Sequence, residues 1–186
     1  MAKLIYIINT SLDGYIEDSD GNFDWSEPDD VDHDFYTDLL RPVGVQLLGR
    51  RMYDMMKVWQ SPPPDWPRPM QDFARVWQDS DKIVYSRTLA QAATPRTHIE
   101  REFDPEAVHN LKASSERDLA IAGPELAAHA IAAGLVDEYH AVVWPVIVGG
   151  GKPWLPDGVR VNLEFVEERR LGKAAVYLRY RASPEN

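Results

Sequence analysis

The segment VGVQLLGRRM, residues Val43 to Met52, joins an apolar stretch to a basic one through a single glycine. Val43 to Leu48 is mostly apolar without strict alternation, which is typical of a strand that is covered on both faces, as in a parallel sheet. Gly49 lets the backbone turn, and we predict a helix from Arg50 to Trp59. A doubly covered strand followed at once by a helix predicts an α/β protein.

The same succession of strand and helix recurs along the chain. Further buried strands are predicted at Leu4–Ile8, Lys82–Ser86, Leu119–Ala122 and Tyr139–Val148. Helices are predicted around Val31, Phe35 and Leu39, over Met70–Gln78, after the N-cap Asp104, and over Pro124–Ala133. Thr10 to Trp25 carries two Asp-Gly turn signals and is interpreted as a long loop or a loose hairpin.

The C-terminal part of the sequence has a different period. Val176, Leu178 and Tyr180 alternate with Tyr177, Arg179 and Arg181, which predicts a strand with one face in water. Leu163–Val166 precedes it across a turn containing Gly172-Lys173, so an antiparallel hairpin is expected. The predicted fold is therefore an α/β domain, residues 1–186, with a mostly parallel central sheet and a C-terminal antiparallel hairpin.

Composition excludes several function classes. The 186 residues include 20 Lys and Arg against 30 Asp and Glu, a formal net charge of -10, which disfavours nucleic acid and anionic membrane as partners. No cysteine is present, so disulfides, thiol nucleophiles and Cys-bearing metal centres are excluded. The apolar run Ala141–Val148 is far shorter than the about 20 residues that cross a bilayer, and the start lacks a signal-peptide pattern. We expect a cytoplasmic protein.

No metal site is predicted. The five histidines show no metal-ligand spacing. Asp18, Asp20, Asn22 and Asp24 resemble a calcium loop, but Phe23 stands where an EF-hand requires glycine.

Three junctions that follow predicted strands are candidate sites for an anionic ligand, because ligands of open α/β sheets bind beyond the carboxyl ends of strands. They are Gly49-Arg50-Arg51, Ser86-Arg87-Thr88 and Gly123-Pro124-Glu125-Leu126. Each has a plainer alternative: a solvated arginine, a Ser/Thr turn and a bare helix start, respectively. The three glycines Gly149–Gly151 are either part of a site or a flexible connection.

These segments occur in a recognisable order with Ser11-Leu12-Asp13-Gly14-Tyr15-Ile16, Asp24-Trp25, Ala133-Gly134-Leu135-Val136-Asp137-Glu138 and Pro145. The series resembles the dihydrofolate reductase superfamily. In particular, it resembles stand-alone proteins similar to the C-terminal reductase domain of the riboflavin-pathway bifunctional deaminase–reductase, RibD. The resemblance covers almost the whole chain. It implies a three-layer α/β sandwich with a central sheet of eight or more strands, NADPH as hydride donor, and a homodimer.

The resemblance also implies roles for individual residues. The NADPH phosphates would meet Leu48, Gly49, Arg50 and Arg51, the adenosine side Ser86 and Arg87, and the pyrophosphate Gly123, Pro124, Glu125 and Leu126. Asn9, Gly14, Tyr15 and Ile16 would border the nicotinamide. The family usually has a Gly-Gly pair, often joined by a cis peptide, where this chain has Ala122-Gly123.

The proton donor is the least defined part of the resemblance. Alignment on Trp25 places the family's acid near Asp30, whereas counting back from Gly49 leads to His33, and we take Asp32 as the compromise. Glu138 is a second candidate for proton delivery and for substrate binding, and Asp24 and Trp25 would form a substrate wall with Trp25 stacking on a flat ring.

The expected activity is reduction of a small heterocycle, most like 5-amino-6-(5-phosphoribosylamino)uracil. Dihydrofolate reductase and a non-catalytic nucleotide-binding protein are the alternatives.

Overall fold

The computed structural model describes residues 1–26, 30–172 and 174–183, with the backbone alone for 30–32. Within these residues the strands are β1 Leu4–Ser11, β2 Tyr15–Glu17, β3 Val43–Gly49, β4 Asp81–Tyr85, β5 Thr97–Glu100, β6 Asp118–Ala122, β7 Glu138–Trp144, β8 Lys152–Pro153, β9 Leu163–Leu171 and β10 Ala175–Ala182. The α-helices are α1 Asp30–Leu40, α2 Arg50–Met56, α3 Arg68–Asp79, α4 Pro105–Ser114 and α5 Pro124–Ala132. None of these helices is long and apolar enough to cross a membrane.

Eight of the strands form one sheet in the order β5-β4-β3-β6-β1-β7-β10-β9. The strands from β5 to β7 pair in parallel, and β10 pairs antiparallel with both β7 and β9. The predicted parallel sheet with a C-terminal antiparallel hairpin is confirmed. β2 and β8 pair with each other as a separate two-stranded ribbon.

Helices cover both faces of the sheet. Neighbouring residues of a strand point to opposite faces, so a strand that is apolar throughout needs cover on both sides. Leu47 belongs to the core cluster that α4 and α5 complete, with Val108 and Leu126 among its members. The next residue, Leu48, packs against Tyr53 of α2 on the other face. The structure therefore has three layers, as the doubly covered strands predicted.

Two predicted elements end earlier than expected. The helix after Gly49 stops at Met56 and continues as a 3₁₀ turn over Lys57–Gln60. The last parallel strand stops at Trp144, short of Val148. β5 and β8 were not predicted, because four residues and two residues carry too little periodicity to be recognised.

The alternation in β10 predicted one face in water without indicating which face it is. Tyr177 is 3% exposed, whereas Val176 on the other face is 41% exposed. Phe35 of α1 covers Tyr177, with ring centroids 4.8 Å apart. The other face is partly covered as well, because Tyr180 packs against the main core cluster.

A buried charged cluster holds β1, β7 and β10 together at the edge of the sheet where β1, β6 and β7 begin, here called the amino edge. Glu138 is 1% exposed and accepts hydrogen bonds from Lys3 at 2.8 Å, Arg179 at 2.9 Å and His140 at 3.1 Å. The Tyr177 hydroxyl lies 2.9 Å from His140 Nδ1. The cluster fixes the register of β1, β7 and β10 relative to one another. Lys3 directly precedes β1, His140 lies on β7 and Arg179 lies on β10.

Burial alone would raise the pKa of Glu138, but hydrogen bonds from Lys3 and His140 and the charge of Arg179 outweigh it and lower the pKa to about 2. Burial lowers the pKa of His140, so its ring is neutral at pH 7. A carboxylate whose pKa is lower in the folded state than in the unfolded state stabilises the fold at pH values above its ordinary pKa. This stabilisation is lost as the pH falls towards the folded-state pKa.

Replacing Glu138 by Gln should lower the free energy of unfolding at pH 7 by about 3 kcal/mol, the lower end for breaking a buried ion pair, because Lys3 and Arg179 keep part of their hydration. The difference from wild type should shrink as the pH falls from 4.5 towards 2. Urea unfolding at several pH values measures both. A difference that stays constant across this range would contradict the assignment.

Candidate functional site

The carboxyl ends of five neighbouring parallel strands meet at one edge of the sheet, here called the carboxyl edge. Gly49 at the end of β3 is opposite Tyr85, Leu48 is opposite Ala122, and Ser11 is opposite Trp144. The chain therefore leaves β4, β3, β6, β1 and β7 side by side. The predicted cofactor residues Leu48–Arg51, Ser86, Arg87 and Gly123–Leu126 lie at or directly after these strand ends. Asn9 lies two residues before the end of β1, and Gly14–Ile16 begin three residues after it.

Asp13 ties the loop after β1 to the loop after β7. Its carboxylate accepts a hydrogen bond from Ser11 Oγ at 2.7 Å and from the backbone N–H groups of Val148 and Gly149 at 3.1 and 2.8 Å. The Ser11 hydroxyl and then these amides hold the pKa of Asp13 below its usual value. Leu12 N also donates to Val146 O at 2.8 Å. The two loops thus form one continuous wall.

The part of the sheet next to this wall, on the face that α1 covers, is here called the floor. Asn9 is opposite Val142 in the sheet, and Tyr36 of α1 donates its hydroxyl hydrogen to Asn9 Oδ1. Trp144 packs against the same cluster as Tyr36. Its indole Nε1 is buried without a hydrogen-bond partner among the described residues. An unused buried donor is costly, so it favours a site that a polar ligand completes.

The two predicted phosphate arginines have different surroundings. Arg50 pairs with Asp54 one turn along α2. Arg51 is 82% exposed and reaches Glu17 of β2 at 3.7 Å. With seven residues, α2 contributes only a small macrodipole at this junction.

Neither the backbone conformation nor the contacts among the described residues require glycine at position 49. Its φ of -67° suits any residue, and a Cβ there would meet no described atom within 4 Å. Leu48 beside it is a core residue, 1% exposed. The bare backbone at Gly49 is consistent with close approach of a ligand.

The segment after β4 is a capped turn. Ser86 is buried and its Oγ accepts hydrogen bonds from the N–H groups of Thr88 and Leu89. Arg101, which the sequence analysis did not identify, donates to the carbonyls of Ser86 and Leu89 at 2.9 and 2.7 Å. Arg87 is 80% exposed and pairs with Glu102 at 3.5 Å. The plainer interpretation, a Ser/Thr turn, explains Ser86, and Arg87 is left facing solvent.

The third junction opens α5 after β6. Gly123 has φ +98°, a left-handed conformation that favours glycine. Pro124 is the first helical residue, and Leu126 faces the core. The peptide bond between Ala122 and Gly123 is trans, like every peptide bond among the described residues. Glu125 is 82% exposed and pairs with Lys152 at 3.1 Å.

The β2–β8 ribbon brings two residues to this edge that the sequence analysis missed. Glu17 of β2 and Lys152 of β8 are 20% and 23% exposed and lie 3.3 Å apart. Tyr15 and Ile16 belong to the same ribbon, and Gly14 precedes it. The glycine run Gly149–Gly151 just before Lys152 was the only sequence signal for this segment.

Three of the predicted substrate and proton-donor residues are not brought to this edge by described contacts. Asp24 and Trp25 lie in a 3₁₀ turn before α1, where Trp25 Nε1 is buried without a described hydrogen-bond partner. Glu138 lies at the amino edge, at the opposite end of β7, in the cluster described above. The side chain of Asp32 lies outside the described residues, although its backbone is in α1.

Comparison with known proteins shows similarity along almost the whole chain. The RibD C-terminal domain family matches residues 2–177. The uncharacterized protein YyaP of Bacillus subtilis (strain 168) is 30% identical over 181 residues, which are 96% of this chain and 94% of YyaP.

Solved structures with the same fold include three informative ones. A candidate riboflavin biosynthesis protein from Shewanella sp. PV-4 has a TM-score of 0.76 at 23% identity, covering 99% of this chain and all of its own. The Thermotoga maritima diaminohydroxyphosphoribosylaminopyrimidine deaminase/5-amino-6-(5-phosphoribosylamino)uracil reductase has a TM-score of 0.65 at 15% identity, covering 98% and 57%. Enterococcus faecalis dihydrofolate reductase, complexed with NADP(H), has a TM-score of 0.63 at 15% identity, covering 98% and 97%.

Replacing Asp13 by Ala should separate the two loops of the wall. The backbone N–H groups of Val148 and Gly149 would lose their acceptor, so their hydrogen exchange should become faster, while amides in β6 keep their protection. Exchange measured by NMR checks this, with Asp157→Ala as an exposed aspartate control outside the wall. Unchanged exchange at both amides would contradict the bridging role.

Proposed function

This chain belongs to the RibD C-terminal domain family, and on that premise we propose that it is an NADPH-dependent reductase of a small heterocycle, most like 5-amino-6-(5-phosphoribosylamino)uracil. The observation that carries the proposal is the convergence of the predicted cofactor residues on one edge of the sheet. The match to the family over residues 2–177 supports the reaction class.

The residues at the carboxyl edge fit a dinucleotide. Gly49 and Gly123 each leave open space where a Cβ would stand, so a ligand can approach the backbone at both places. Arg51 and Arg87 are mostly exposed cations at neighbouring strand ends. In the proposal Gly49, Arg50, Arg51 and Gly123 hold phosphates, and Arg87 contacts the adenosine side.

NADPH, when bound, supplies the hydride, so the protein needs chiefly to orient two rings and to exclude water. Asn9 is held in place by Tyr36 and would fix the ring that rests on the floor. The wall joined by Asp13 would shield that ring from solvent. Trp25 is proposed to stack on the substrate, beside Asp24.

We assign proton delivery to Asp32, on α1, the helix whose Tyr36 contacts the floor. Glu138 is a poor donor, because its pKa of about 2 keeps it ionised and its hydrogen bonds are used within the amino-edge cluster. A donor must hold its proton near the working pH and reach the reacting atom.

A homodimer remains a prediction. The apolar strand β7 does not offer a dimer surface, because it is an inner strand whose Ala141 and Val142 belong to the core. Trp77 is fully buried as well. The apolar side chains that remain exposed at the sheet's free edge are Leu163 and Phe165 of β9, at 39% and 60%.

The proposal is tested by calorimetric titration with NADPH and NADH, followed by an assay of dihydronicotinamide oxidation with the pyrimidine substrate. We expect NADPH to bind more tightly than NADH. Replacing Arg50 and Arg51 together by Ala should weaken NADPH binding about 10- to 100-fold, as expected for one or two lost hydrogen bonds to a charged group.

The matched control is the double variant Arg68→Ala, Arg75→Ala, which removes two exposed cations that pair with Asp72 on α3. It should bind NADPH as wild type does. Wild-type protein that binds neither dinucleotide would overturn the reductase proposal. Binding without hydride transfer to any pyrimidine or to dihydrofolate would favour a non-catalytic nucleotide-binding protein, and turnover of dihydrofolate alone would favour a dihydrofolate reductase.

Replacing Asp32 by Asn should lower kcat about 100- to 10,000-fold, the range for a general acid, and should leave NADPH affinity unchanged. Asp38→Asn on the same helix is the control, because Asp38 is exposed and pairs with Arg41. The pH dependence of kcat should lose its carboxylate limb only in the Asp32 variant. Wild-type turnover across pH would remove Asp32 from the mechanism.

A further inference from the structure

The β2–β8 ribbon lies at the carboxyl edge, and its two segments approach each other very closely at Gly151. Glu17 is opposite Lys152 in the ribbon. A Cβ at Gly151, where φ is +135°, would stand 2.0 Å from Glu17 O, so only glycine allows the two segments to approach this closely. Gly151 therefore fixes the position of Lys152 relative to Glu17.

Four charged residues from four separate connections meet at the ribbon. Glu17 Oε1 lies 3.7 Å from Arg51 Nη1, at the start of α2, and 3.3 Å from Lys152 Nζ. Lys152 Nζ in turn lies 3.1 Å from Glu125 Oε1, at the start of α5. The network thus crosses the ends of β3, β1, β7 and β6.

The two cations lie close enough to share one anion. Both distances to Glu17 end on the same oxygen, so Arg51 Nη1 and Lys152 Nζ are at most 7.0 Å apart, the 3.7 and 3.3 Å legs laid end to end. Arg51 is 82% exposed, whereas Glu17 and Lys152 are four-fifths covered. A carboxylate held between two cations has the charge and the acceptor oxygens of a small bound anion.

Resting on the proposed function, we propose that Arg51 and Lys152 form a phosphate subsite that Glu17 occupies as an internal anion until the dinucleotide binds. The 2′-phosphate offers three acceptor oxygens and more negative charge than a carboxylate, and the two linked phosphates of the pyrophosphate together offer four free oxygens and two charges, so either group can take both cations from Glu17. Lys152 is thereby a binding residue for the cofactor, and Glu17 lowers the affinity for it. Glu125 remains a partner of Lys152 while the phosphate replaces Glu17 in the subsite.

The sign of the Glu17 effect separates this role from a structural one. If Glu17 competes with phosphate, its neutralisation removes a like charge from the subsite and strengthens binding. If Glu17 only fastens the ribbon to α2, its neutralisation loosens the ribbon and weakens binding.

The experiment is calorimetric titration of wild type, Glu17→Gln and Lys152→Gln with NADPH, NADH and inorganic pyrophosphate. Glu17→Gln should bind NADPH about 2- to 5-fold more tightly, and Lys152→Gln about 2- to 5-fold more weakly, the range for partly exposed charge pairs. A gain for NADPH alone assigns the subsite to the 2′-phosphate. An equal gain for NADPH, NADH and pyrophosphate assigns it to the pyrophosphate.

Glu164→Gln is the control, because Glu164 lies on β9 at the amino edge and its replacement changes the net charge by the same amount. Glu17→Asp keeps the charge and should bind NADPH as wild type does. Wild-type affinity in this variant would show that a change in Glu17→Gln comes from the lost charge and not from a disturbed fold. Glu17→Gln binding no more tightly than Glu164→Gln would overturn the subsite. Wild type that binds neither dinucleotide would overturn the proposed function instead, and the pyrophosphate titration would still decide the subsite by the same criterion.

Discussion

The pairing of β1 with a parallel strand on each side sets the layout of the sheet and of both its edges. β1 is hydrogen-bonded to β6 on one side and to β7 on the other. Because parallel strands start at one edge and finish at the other, the register of β1 decides which residues meet at each edge. The segments after β1 and β7 become neighbours there, although more than a hundred residues separate them in the sequence.

The two edges of the sheet use charge in different ways. At the amino edge Glu138 is buried and fully hydrogen-bonded, so its ionisation is part of the folded state. At the carboxyl edge the ion pairs of Arg51, Arg87 and Glu125 involve side chains that are about four-fifths exposed. Exposed pairs stabilise a fold only weakly, so they can exchange partners at little cost. In a protein with a net charge of -10, this leaves Arg51 and Arg87 accessible from solvent at the carboxyl edge.

The sequence predicted elements well where a local pattern reports the local environment. The N-cap Asp104 accepts a hydrogen bond from Glu106 N, as its position before Pro105 indicated. The sequence failed where the environment comes from elsewhere. Tyr177 of β10 is buried by α1, and no pattern within β10 carries that information. Likewise, Glu138 was a candidate for proton delivery and substrate binding, and only the structure shows that its place at the start of β7 is at the amino edge.

Local sequence patterns were enough to predict the fold class, the order of strands and helices along the chain, and the junctions that follow the parallel strands, because apolar periodicity and turn residues act over a few neighbours. The covered face of each strand and the pairing of charged side chains depend instead on how distant segments pack together. Glu17, Arg51, Lys152 and Glu125 are scattered through the sequence and meet only because the strands before them end side by side. Contacts of that kind depend on sheet order and register, which are set by the packing of the whole chain.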